Sequence, residues 1–345
     1  MKKTQRVARL YGPEDLRLEN ISIPEIGPEE VLIEVKACAL CGSDLPGYLG
    51  KHPRIVFPII MGHEFVGVIC QKGQNVSGWE IGQRVCGDPG LPCGKCDPCR
   101  QGRTNICVNV RVIGFNVDGA YSQYVKIPQQ NLNFLPDSVS FDEGSIIQTL
   151  TVAYNGVKRR AEVKVQDRVL IFGCGPIGLC ALGAAKASGA KVFMVDTLDY
   201  RLAIAKRMGA DETLNPMKVD LVKSTLDLTG GKGVDKVIEA VGGEQDVTLG
   251  QTTQVVKRGG LIVVIGTFSN NKATLRITEF KARELELRGS QGWAGSWQEC
   301  IDLVASKRLR LEPLISHRMS LEEVEKGLQI MKSKTENVMK IIIHP

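Results

Sequence analysis

The stretch "DRVLIFGCGPIGLCALGAAKASGAKVFMVD", residues 167–196, decides the fold of about half of this chain. Apolar runs from Val169 to Phe172 and from Val192 to Val195 predict two buried strands. Between them, glycines lead into a helix that we expect to start at Pro176 and to stop at Gly189. The order of strand, glycine turn, helix and strand predicts a βαβ unit.

The turn of this unit has the spacing of a dinucleotide-binding fingerprint, G-x-G-x-x-G, and an acid ends the second strand. The glycines let the backbone approach a pyrophosphate at the positive end of the helix, and Asp196 would bind the adenosine ribose hydroxyls. Because this carboxylate would repel a 2′-phosphate, NAD is preferred over NADP. Arg201 could stabilise such a phosphate, cover the adenine or stay solvated. The candidate coenzyme-binding residues are Gly173, Gly175, Pro176, Ile177, Gly178, Asp196 and Arg201.

Four later segments, "GADETLNP", "VDKVIEAVG", "GGLIVVIGTF" and "RELELRGS", predict further short strands. Six strands that alternate with helices predict a doubly wound parallel sheet, which we assign to residues 148–290. Beyond it, Ser320 and Glu323 form a capping box for another helix, and "KIIIHP" predicts a strand that returns to the first domain. The first domain is therefore expected to comprise residues 1–147 and 291–345.

Composition agrees with two domains of a globular protein. The chain has 345 residues, of which 43% are hydrophobic and 24% are charged. The net charge of +6 is scattered rather than gathered in a basic run, so nucleic-acid binding is not favoured. The basic start lacks an apolar signal segment and no apolar stretch approaches membrane length, so we expect a cytoplasmic protein without membrane contact.

Four of the eleven cysteines are crowded into "CGKCDPCRQGRTNIC", residues 93–107. Their C-x2-C-x2-C-x7-C spacing allows four thiolates to converge on one tetrahedral ion with no open position, which predicts a structural zinc site. An iron–sulfur cluster is the alternative, but its bacterial motif has a shorter last gap and a following proline. Reactive free thiols are disfavoured by the density of the cluster. The candidate ligands are Cys93, Cys96, Cys99 and Cys107.

The segment "MGHEFVG", residues 61–67, places His63 directly before Glu64. A zinc-peptidase helix would need a second histidine at the place of Gly67, so that function is excluded. Upstream, "CALCGSD" supplies Cys41. One thiolate, one imidazole and one carboxylate would form a three-ligand zinc site with a fourth position open, as catalytic sites do, although a cysteine at such a turn is usually only a buried hydrophobe.

Two polar residues, Ser43 and Asp44, lie two and three positions after Cys41. Asp44 is expected to accept a hydrogen bond from the ring nitrogen of His63 that does not bind the metal. Ser43 offers a hydroxyl close enough to relay a proton.

Together these residues resemble the zinc-containing medium-chain dehydrogenases, which have "CGSD", "GHE", the four-cysteine lobe and the glycine fingerprint in this order. The resemblance covers essentially the whole chain and is strongest to the polyol branch, with sorbitol and galactitol-phosphate dehydrogenases, and threonine and aminocyclitol dehydrogenases as close relatives. "CGSDLPGY" and "LEPLISHR" are similar to the galactitol-phosphate type. The resemblance implies a GroES-like, mainly β catalytic domain and a Rossmann coenzyme domain.

The resemblance implies that Cys41, His63 and Glu64 bind a catalytic zinc, giving two zinc ions per chain. It implies hydride transfer to NAD from a secondary alcohol of a polyol, a free or phosphorylated sugar alcohol or a cyclitol. L-threonine or another small amino alcohol or diol is the alternative substrate. A homodimer or homotetramer is also implied.

Two further positions follow from the resemblance. Tyr48 is expected near the substrate entrance, with packing of a loop aromatic as the alternative. The polyol and threonine branches usually carry an acid near the zinc in the segment matching "IIQTLTVAYNG", where this chain has Gln148. We expect Gln148 to lie close to the zinc. Alternatively, its amide only faces the water bound to the zinc, without a role, or the loss of the acid marks an impaired or repurposed zinc site.

Two non-enzymatic functions compete with this interpretation. An NAD-binding or zinc-binding protein without turnover would be expected to have lost a zinc ligand or Ser43, and none is lost. A zinc-ribbon nucleic-acid binder would leave the fingerprint and the His63–Glu64 pair without a role.

Overall fold

The computed structural model describes residues 3–243, 246–268, 272–293 and 295–345. The chain divides into two compact units. The first comprises Met1–Gln148, Trp297–Ala305 and Ile315–Pro345, and the second comprises Thr149–Ser296 and Ser306–Leu314.

The units differ from the sequence-based domain bounds at Gln148 and in two short segments. Residues 291–296 and 306–314 were expected in the first domain, whereas the structure groups them with the second unit. Leu309 illustrates the reason, because an added Cβ on Gly183 would lie only 2.6 Å from Leu309 Cδ1. The segment around Leu309 therefore packs closely on the helix that follows the glycine fingerprint.

The strands follow one another along both units. In chain order they are β1 (Thr4–Gly12), β2 (Asp15–Ser22), β3 (Glu30–Ala39), β4 (Ile59–Ile60), β5 (Glu64–Lys72), β6 (Arg84–Gly87), β7 (Gly90–Leu91), β8 (Arg111–Val112), β9 (Tyr124–Pro128), β10 (Leu132–Phe134), β11 (Arg168–Phe172), β12 (Lys191–Val195), β13 (Glu212–Leu214), β14 (Val234–Glu239), β15 (Val256–Val264), β16 (Glu286–Gly289), β17 (Ile315–Ser320) and β18 (Lys340–His344).

The α-helices of the described residues are short, and six of the eleven lie wholly or mostly in the second unit. They are α1 (Asp44–Tyr48), α2 (Asp97–Arg100), α3 (Phe141–Ser145), α4 (Ile147–Tyr154), α5 (Pro176–Ala187), α6 (Asp199–Arg207), α7 (Leu221–Leu228), α8 (Asp246–Val255), α9 (Ile277–Ala282), α10 (Trp297–Ala305) and α11 (Val324–Ser333).

The first unit is built around a mainly antiparallel sheet with the order β10-β6-β5-β3-β18-β17, in which β9 also pairs with β3. Strands β5 and β18 both run antiparallel to β3. The predicted return of "KIIIHP" to the first domain is confirmed, because β18 joins this sheet. The capping box of Ser320 and Glu323 is also present.

The second unit contains a six-stranded parallel sheet with the order β13-β12-β11-β14-β15-β16. The first strand of the unit lies in the middle, and the chain then builds outward to each side, as in doubly wound folds. The predicted fold class is confirmed: a mainly β domain is combined with a parallel α/β domain. The carboxyl ends of β11 and β14 lie side by side, since Phe172 pairs with Glu239.

Each unit has its own hydrophobic core. In the first unit, Ile33, Phe65 and Ile341 belong to one buried cluster, and in the second Phe172 and Val237 belong to another. Across the described parts of the chain, no helix combines the length and apolar character needed to cross a bilayer.

Candidate zinc and coenzyme sites

The three predicted ligands of the catalytic zinc meet at one end of the large sheet. Strand β3 ends two residues before Cys41, and the antiparallel partner β5 begins at Glu64, which pairs with Ala39. Because neighbouring antiparallel strands begin where their partners end, His63 and Glu64 are brought beside Cys41. One ligand atom from each of these three residues lies within 4.8 Å of the others.

Two glycines fix the backbone around His63. Gly62 has φ +93, and an added Cβ would lie 2.8 Å from the backbone nitrogen of Tyr121. Gly67 lies on strand β5, where an added Cβ would lie 2.0 Å from the carbonyl oxygen of Glu34. The His-Glu pair therefore begins a strand rather than a helix, which agrees with the exclusion of a peptidase.

The two ring nitrogens of His63 face different groups. Nδ1 lies 3.4 Å from Asp44 Oδ1, and Nε2 lies 3.5 Å from Ser43 Oγ. A carboxylate behind one nitrogen is the usual arrangement of a metal-binding histidine, and it leaves Nε2 for the metal. The side chains of Ser43 and Asp44 thus have the positions that suit the roles expected from the sequence.

Asp44 is held by two hydrogen-bond donors in a fully buried position, with 0% of its surface exposed. Its Oδ2 accepts hydrogen bonds from Tyr121 Oη at 2.6 Å and from the Cys41 backbone N–H at 2.8 Å. Burial by itself raises the pKa of the Asp44 carboxyl, but the charge of His63 and these hydrogen bonds hold it below its usual value. Asp44 therefore stays a carboxylate beside His63.

Three residues of this site were not predicted. Tyr121 holds Asp44, Phe115 packs its ring 4.9 Å from that of His63, and Lys340 Nζ donates a hydrogen bond to Glu64 Oε2. None of them stands in a motif with metal-ligand spacing. Lys340 is 276 residues from Glu64, so only the pairing of β18 with β3 brings them together.

The expected position of Tyr48 near the substrate entrance stays a prediction, and the surroundings of this side chain favour the alternative. Only 1% of Tyr48 is exposed, and its ring belongs to the core of the first unit. Its hydroxyl donates a 2.6 Å hydrogen bond to Glu325 Oε1 and accepts one from Gln329. Burial and Glu325 raise the pKa of Tyr48 to about 12. Helix α11 satisfies this hydroxyl, which favours the alternative of a packing aromatic.

Gln148 lies on helix α4 in a buried position. It is the last residue of the first unit, whereas the sequence-based bounds made it the first residue of the coenzyme domain. Its proximity to the zinc ligands stays a prediction.

The four-cysteine lobe fits a single tetrahedral ion. The sulfur atoms of its four cysteines all lie within 4.8 Å of one another, and Cys96 Sγ is 3.8 Å from Cys107 Sγ. Zinc–sulfur bonds of about 2.3 Å place tetrahedral sulfurs about 3.8 Å apart. Backbone N–H groups of Lys95 and Cys96 lower the pKa of Cys93 to about 6, which favours the thiolate that a metal needs. These thiols could therefore hold zinc.

The glycine fingerprint forms the expected turn at the carboxyl end of β11. Gly173 has φ +91, which favours glycine, and an added Cβ on Gly178 would lie 1.8 Å from the carbonyl oxygen of Gly173. Helix α5 begins directly after this turn, at Pro176, and Ile177 lies in its first turn. Its free backbone N–H groups make a site for a pyrophosphate.

Asp196 directly follows β12 and lies against this turn. Its Oδ2 accepts a 2.7 Å hydrogen bond from the Cys174 N–H, and its Oδ1 accepts one from the Leu198 N–H at 2.9 Å. Arg201 Nη1 is 4.0 Å from Asp196 Oδ2. The carboxylate is thus fixed beside the fingerprint, with a cation within reach of the same place.

Comparisons with known proteins identify the family of this chain. Residues 27–137 match the alcohol dehydrogenase GroES-like domain, and residues 176–306 match the zinc-binding dehydrogenase family. Sorbitol dehydrogenase of Bacillus subtilis (strain 168) is 32% identical, over 99% of this chain and 98% of its own. The chain belongs to the zinc-containing medium-chain alcohol and polyol dehydrogenase family.

Other members show how broad this family is. L-threonine 3-dehydrogenase of Bacillus subtilis (strain 168) is 34% identical, over 92% of each chain. A crystal structure from Sinorhizobium meliloti 1021, described as a zinc-binding dehydrogenase bound to NADP, has a TM-score of 0.94 and 30% identity over 100% of both chains. Family membership makes this chain an oxidoreductase of alcohols that uses zinc and a nicotinamide coenzyme, and it leaves the alcohol open.

Proposed function

We propose that this protein oxidises a secondary alcohol of a polyol, a free or phosphorylated sugar alcohol or a cyclitol, with NAD as the hydride acceptor. The observation that carries the proposal is the convergence of Cys41, His63 and Glu64, with Asp44 behind His63 and Ser43 beside its other nitrogen. Three protein ligands leave a fourth position for the alcohol.

In this proposal the protein orients the alcohol and moves one proton. Zinc, when bound by Cys41, His63 and Glu64, supplies the Lewis acidity that makes the hydroxyl more acidic. Ser43 Oγ lies close to His63 Nε2, where it can accept a proton from the substrate hydroxyl and pass one on toward solvent. Asp44 keeps the imidazole of His63 in one orientation. A nicotinamide coenzyme, held at the fingerprint turn and Asp196, would supply the hydride acceptor for the alcohol carbon.

We further propose that a second zinc ion is bound by Cys93, Cys96, Cys99 and Cys107 and has a structural role. A site with four protein ligands offers no position for substrate.

NAD is proposed as the preferred coenzyme because Asp196 offers a carboxylate at the expected place of the ribose hydroxyls. The NADP in the Sinorhizobium meliloti structure shows that the other coenzyme occurs among related chains. Arg201, close to Asp196, is the residue of this chain that could tolerate a 2′-phosphate.

The proposal is tested by following absorbance at 340 nm after the protein is mixed with NAD and a panel of polyols, their phosphates, cyclitols and L-threonine. The expected result is reduction of NAD with at least one polyol, free or phosphorylated, or cyclitol, and its loss in Cys41→Ser. Turnover of L-threonine alone would establish the amino-alcohol alternative instead. NAD binding without turnover of any compound would contradict the enzymatic proposal.

A homodimer or homotetramer is proposed for the native protein, and light scattering after gel filtration would decide between them.

A further inference from the structure

A lysine side chain enters the zinc site from the C-terminal strand. Lys340 is the first residue of β18, and only 2% of its side chain is exposed. Its Nζ donates hydrogen bonds to Glu64 Oε2 and, at 3.2 Å, to the carbonyl oxygen of Leu40. Lysine is almost never fully buried unless it is paired, so the contact with Glu64 accounts for its position.

Backbone pairing fixes this position. Strand β18 runs antiparallel to β3, with Ile342 opposite Ala39, and the Leu40 N–H donates a 2.9 Å hydrogen bond to the Ile341 carbonyl. The start of β18 therefore lies beside the segment that carries Cys41. Lys340 reaches Glu64 from a strand that is held on both sides, since β17 pairs with the other edge of β18.

The pair changes the charge around the metal position. Among the ligands, Cys41 as a thiolate and Glu64 as a carboxylate would just balance a divalent zinc ion, and the Asp44 carboxylate behind His63 adds a further negative charge. Lys340 compensates one of these negative charges, because its ammonium contacts the Glu64 carboxylate directly. A zinc ion in this site would then keep more uncompensated positive charge, and a buried charge of this kind acts strongly on its neighbours.

We propose that Lys340 is a positioning residue that fixes the Glu64 carboxylate and weakens its donation to zinc, so that the ion remains a stronger Lewis acid. This inference rests on the proposed function of the zinc site. It has an unusual consequence: Lys340 lowers the affinity of the site for zinc while it raises the rate of alcohol oxidation. A lysine with only a structural role would support both properties, so the two roles differ in the sign of one measurement.

The test uses the holoenzyme and the variants Lys340→Met and Lys340→Arg. Zinc release to a chromophoric chelator is measured, and the phase that disappears in Cys41→Ser is assigned to the catalytic site. We expect Lys340→Met to hold this zinc roughly tenfold more tightly or better, with kcat reduced roughly tenfold or more, and Lys340→Arg to resemble the wild type in both.

A matched control is Lys126→Met, which removes another lysine of the same sheet. Lys126 pairs with Glu30 at 3.3 Å, at the opposite end of β3 from Cys41. This variant should leave zinc release and kcat unchanged. If Lys340→Met does not fold, Lys340→Gln replaces it, because its amide can still donate to Glu64 without the charge.

Three results would overturn the inference: zinc and activity lost together, neither property changed, or an effect confined to the KM for NAD. Zinc release and the absorption spectrum of the cobalt-substituted protein require no turnover. If the wild type oxidises none of the compounds in the panel, the proposed function fails, while the effect of Lys340 on the metal can still be confirmed or refuted.

Discussion

Tyr121 donates its hydroxyl proton to Asp44 Oδ2 at 2.6 Å, and the other oxygen of Asp44 faces His63. The phenol thereby determines which oxygen of the carboxylate is available to the imidazole. Burial, followed by the charge of Asp44, raises the pKa of Tyr121 well above its usual value, so the hydroxyl remains a donor at any physiological pH. The chain from Tyr121 through Asp44 to His63 is a buried support for the zinc position.

The first prediction is that Tyr121→Phe removes the hydrogen bond that orients Asp44, while the phenyl ring still fills its place in the core. Loss of one hydroxyl should make release of the catalytic zinc roughly three- to tenfold faster and lower kcat/KM by a similar factor, since partners of metal-binding histidines contribute up to about a hundredfold. Zinc release to a chelator and steady-state kinetics measure both. Tyr124→Phe removes a phenol three residues along the chain and serves as the control. Unchanged zinc release in Tyr121→Phe would show that Asp44 keeps its orientation without the phenol.

The second prediction separates the two metal sites. Cys99→Ser should lower the unfolding temperature by several degrees or more, because a closed site contributes folding free energy. Cys41→Ser should abolish turnover while NAD binding stays nearly intact. Metal analysis should find about two zinc ions per chain in the wild type and about one in each variant. One zinc or none in freshly purified wild type would count against the assignment.

The third prediction concerns coenzyme choice. Asp196→Ala should weaken NAD binding and narrow its advantage over NADP by about 1 to 3 kcal/mol, the value of a charge-assisted hydrogen bond. Asp196 also accepts hydrogen bonds from Cys174 and Leu198, so Asp196→Asn is the matched variant that removes the charge and keeps an acceptor. The measured quantity is kcat/KM for each coenzyme. A wild type that reduces NADP as efficiently as NAD would show that the acid has another role.

The fourth prediction is that Gln148→Glu raises the apparent pKa of the pH–rate profile for alcohol oxidation. If Gln148 lies close to the zinc, as predicted, a carboxylate at this position would add a negative charge, and negative charge disfavours loss of a proton nearby. The zinc should remain bound, which metal analysis verifies at each pH. An identical profile at full zinc occupancy would remove Gln148 from the mechanism.

The fifth prediction uses Glu239, the last residue of β14, which is fully buried. Its Oε1 accepts hydrogen bonds from Thr248 Oγ1 at 3.0 Å and from the Val241 N–H at 3.3 Å, whereas its Oε2 has no partner among the residues that the structure describes. Burial raises the pKa of Glu239 to about 7 from an ordinary value of 4.5. The folded protein therefore keeps this acid neutral over a range in which the unfolded chain ionises it.

The sign of the resulting pH effect follows from this shift. Because folding raises the pKa of Glu239, the protonated acid makes its full contribution to the free energy of unfolding below about pH 4.5. This contribution falls by about 3 kcal/mol as the pH rises to about 7. Glu239→Gln cannot ionise and keeps the acceptor for Thr248. The free energy of unfolding of Glu239→Gln, compared with that of the wild type, should therefore increase as the pH is raised from 5 to 8. Urea unfolding at both pH values measures the difference, and a constant difference would refute the raised pKa.

The sequence predicted those parts of the molecule whose chemistry lies within one short segment. The fingerprint and Asp196 stand in one βαβ unit, and the four cysteines stand in one lobe, so spacing alone indicated their geometry. Lys340 and Tyr121 reach the zinc site only through strand pairing between distant segments, and such pairing leaves no local pattern. The hydrogen bond from Tyr48 to Glu325 was not predicted either, because Glu325 lies on a helix almost at the other end of the chain.

The first unit is interrupted in sequence by the second, and this has a consequence for biosynthesis. When the ribosome has completed β3 and β5, the nascent chain already contains Cys41, His63 and Glu64, but β18 is made only after the whole coenzyme unit. Until then the end of β3 that carries Cys38 and Ala39 lacks its neighbour β18, and the Glu64 carboxylate lacks its ammonium partner. An unpaired edge attracts chaperones and foreign strands. The edge of the sheet that receives β18, and with it the pairing of Glu64 with Lys340, should therefore be completed only after the coenzyme unit has been synthesised.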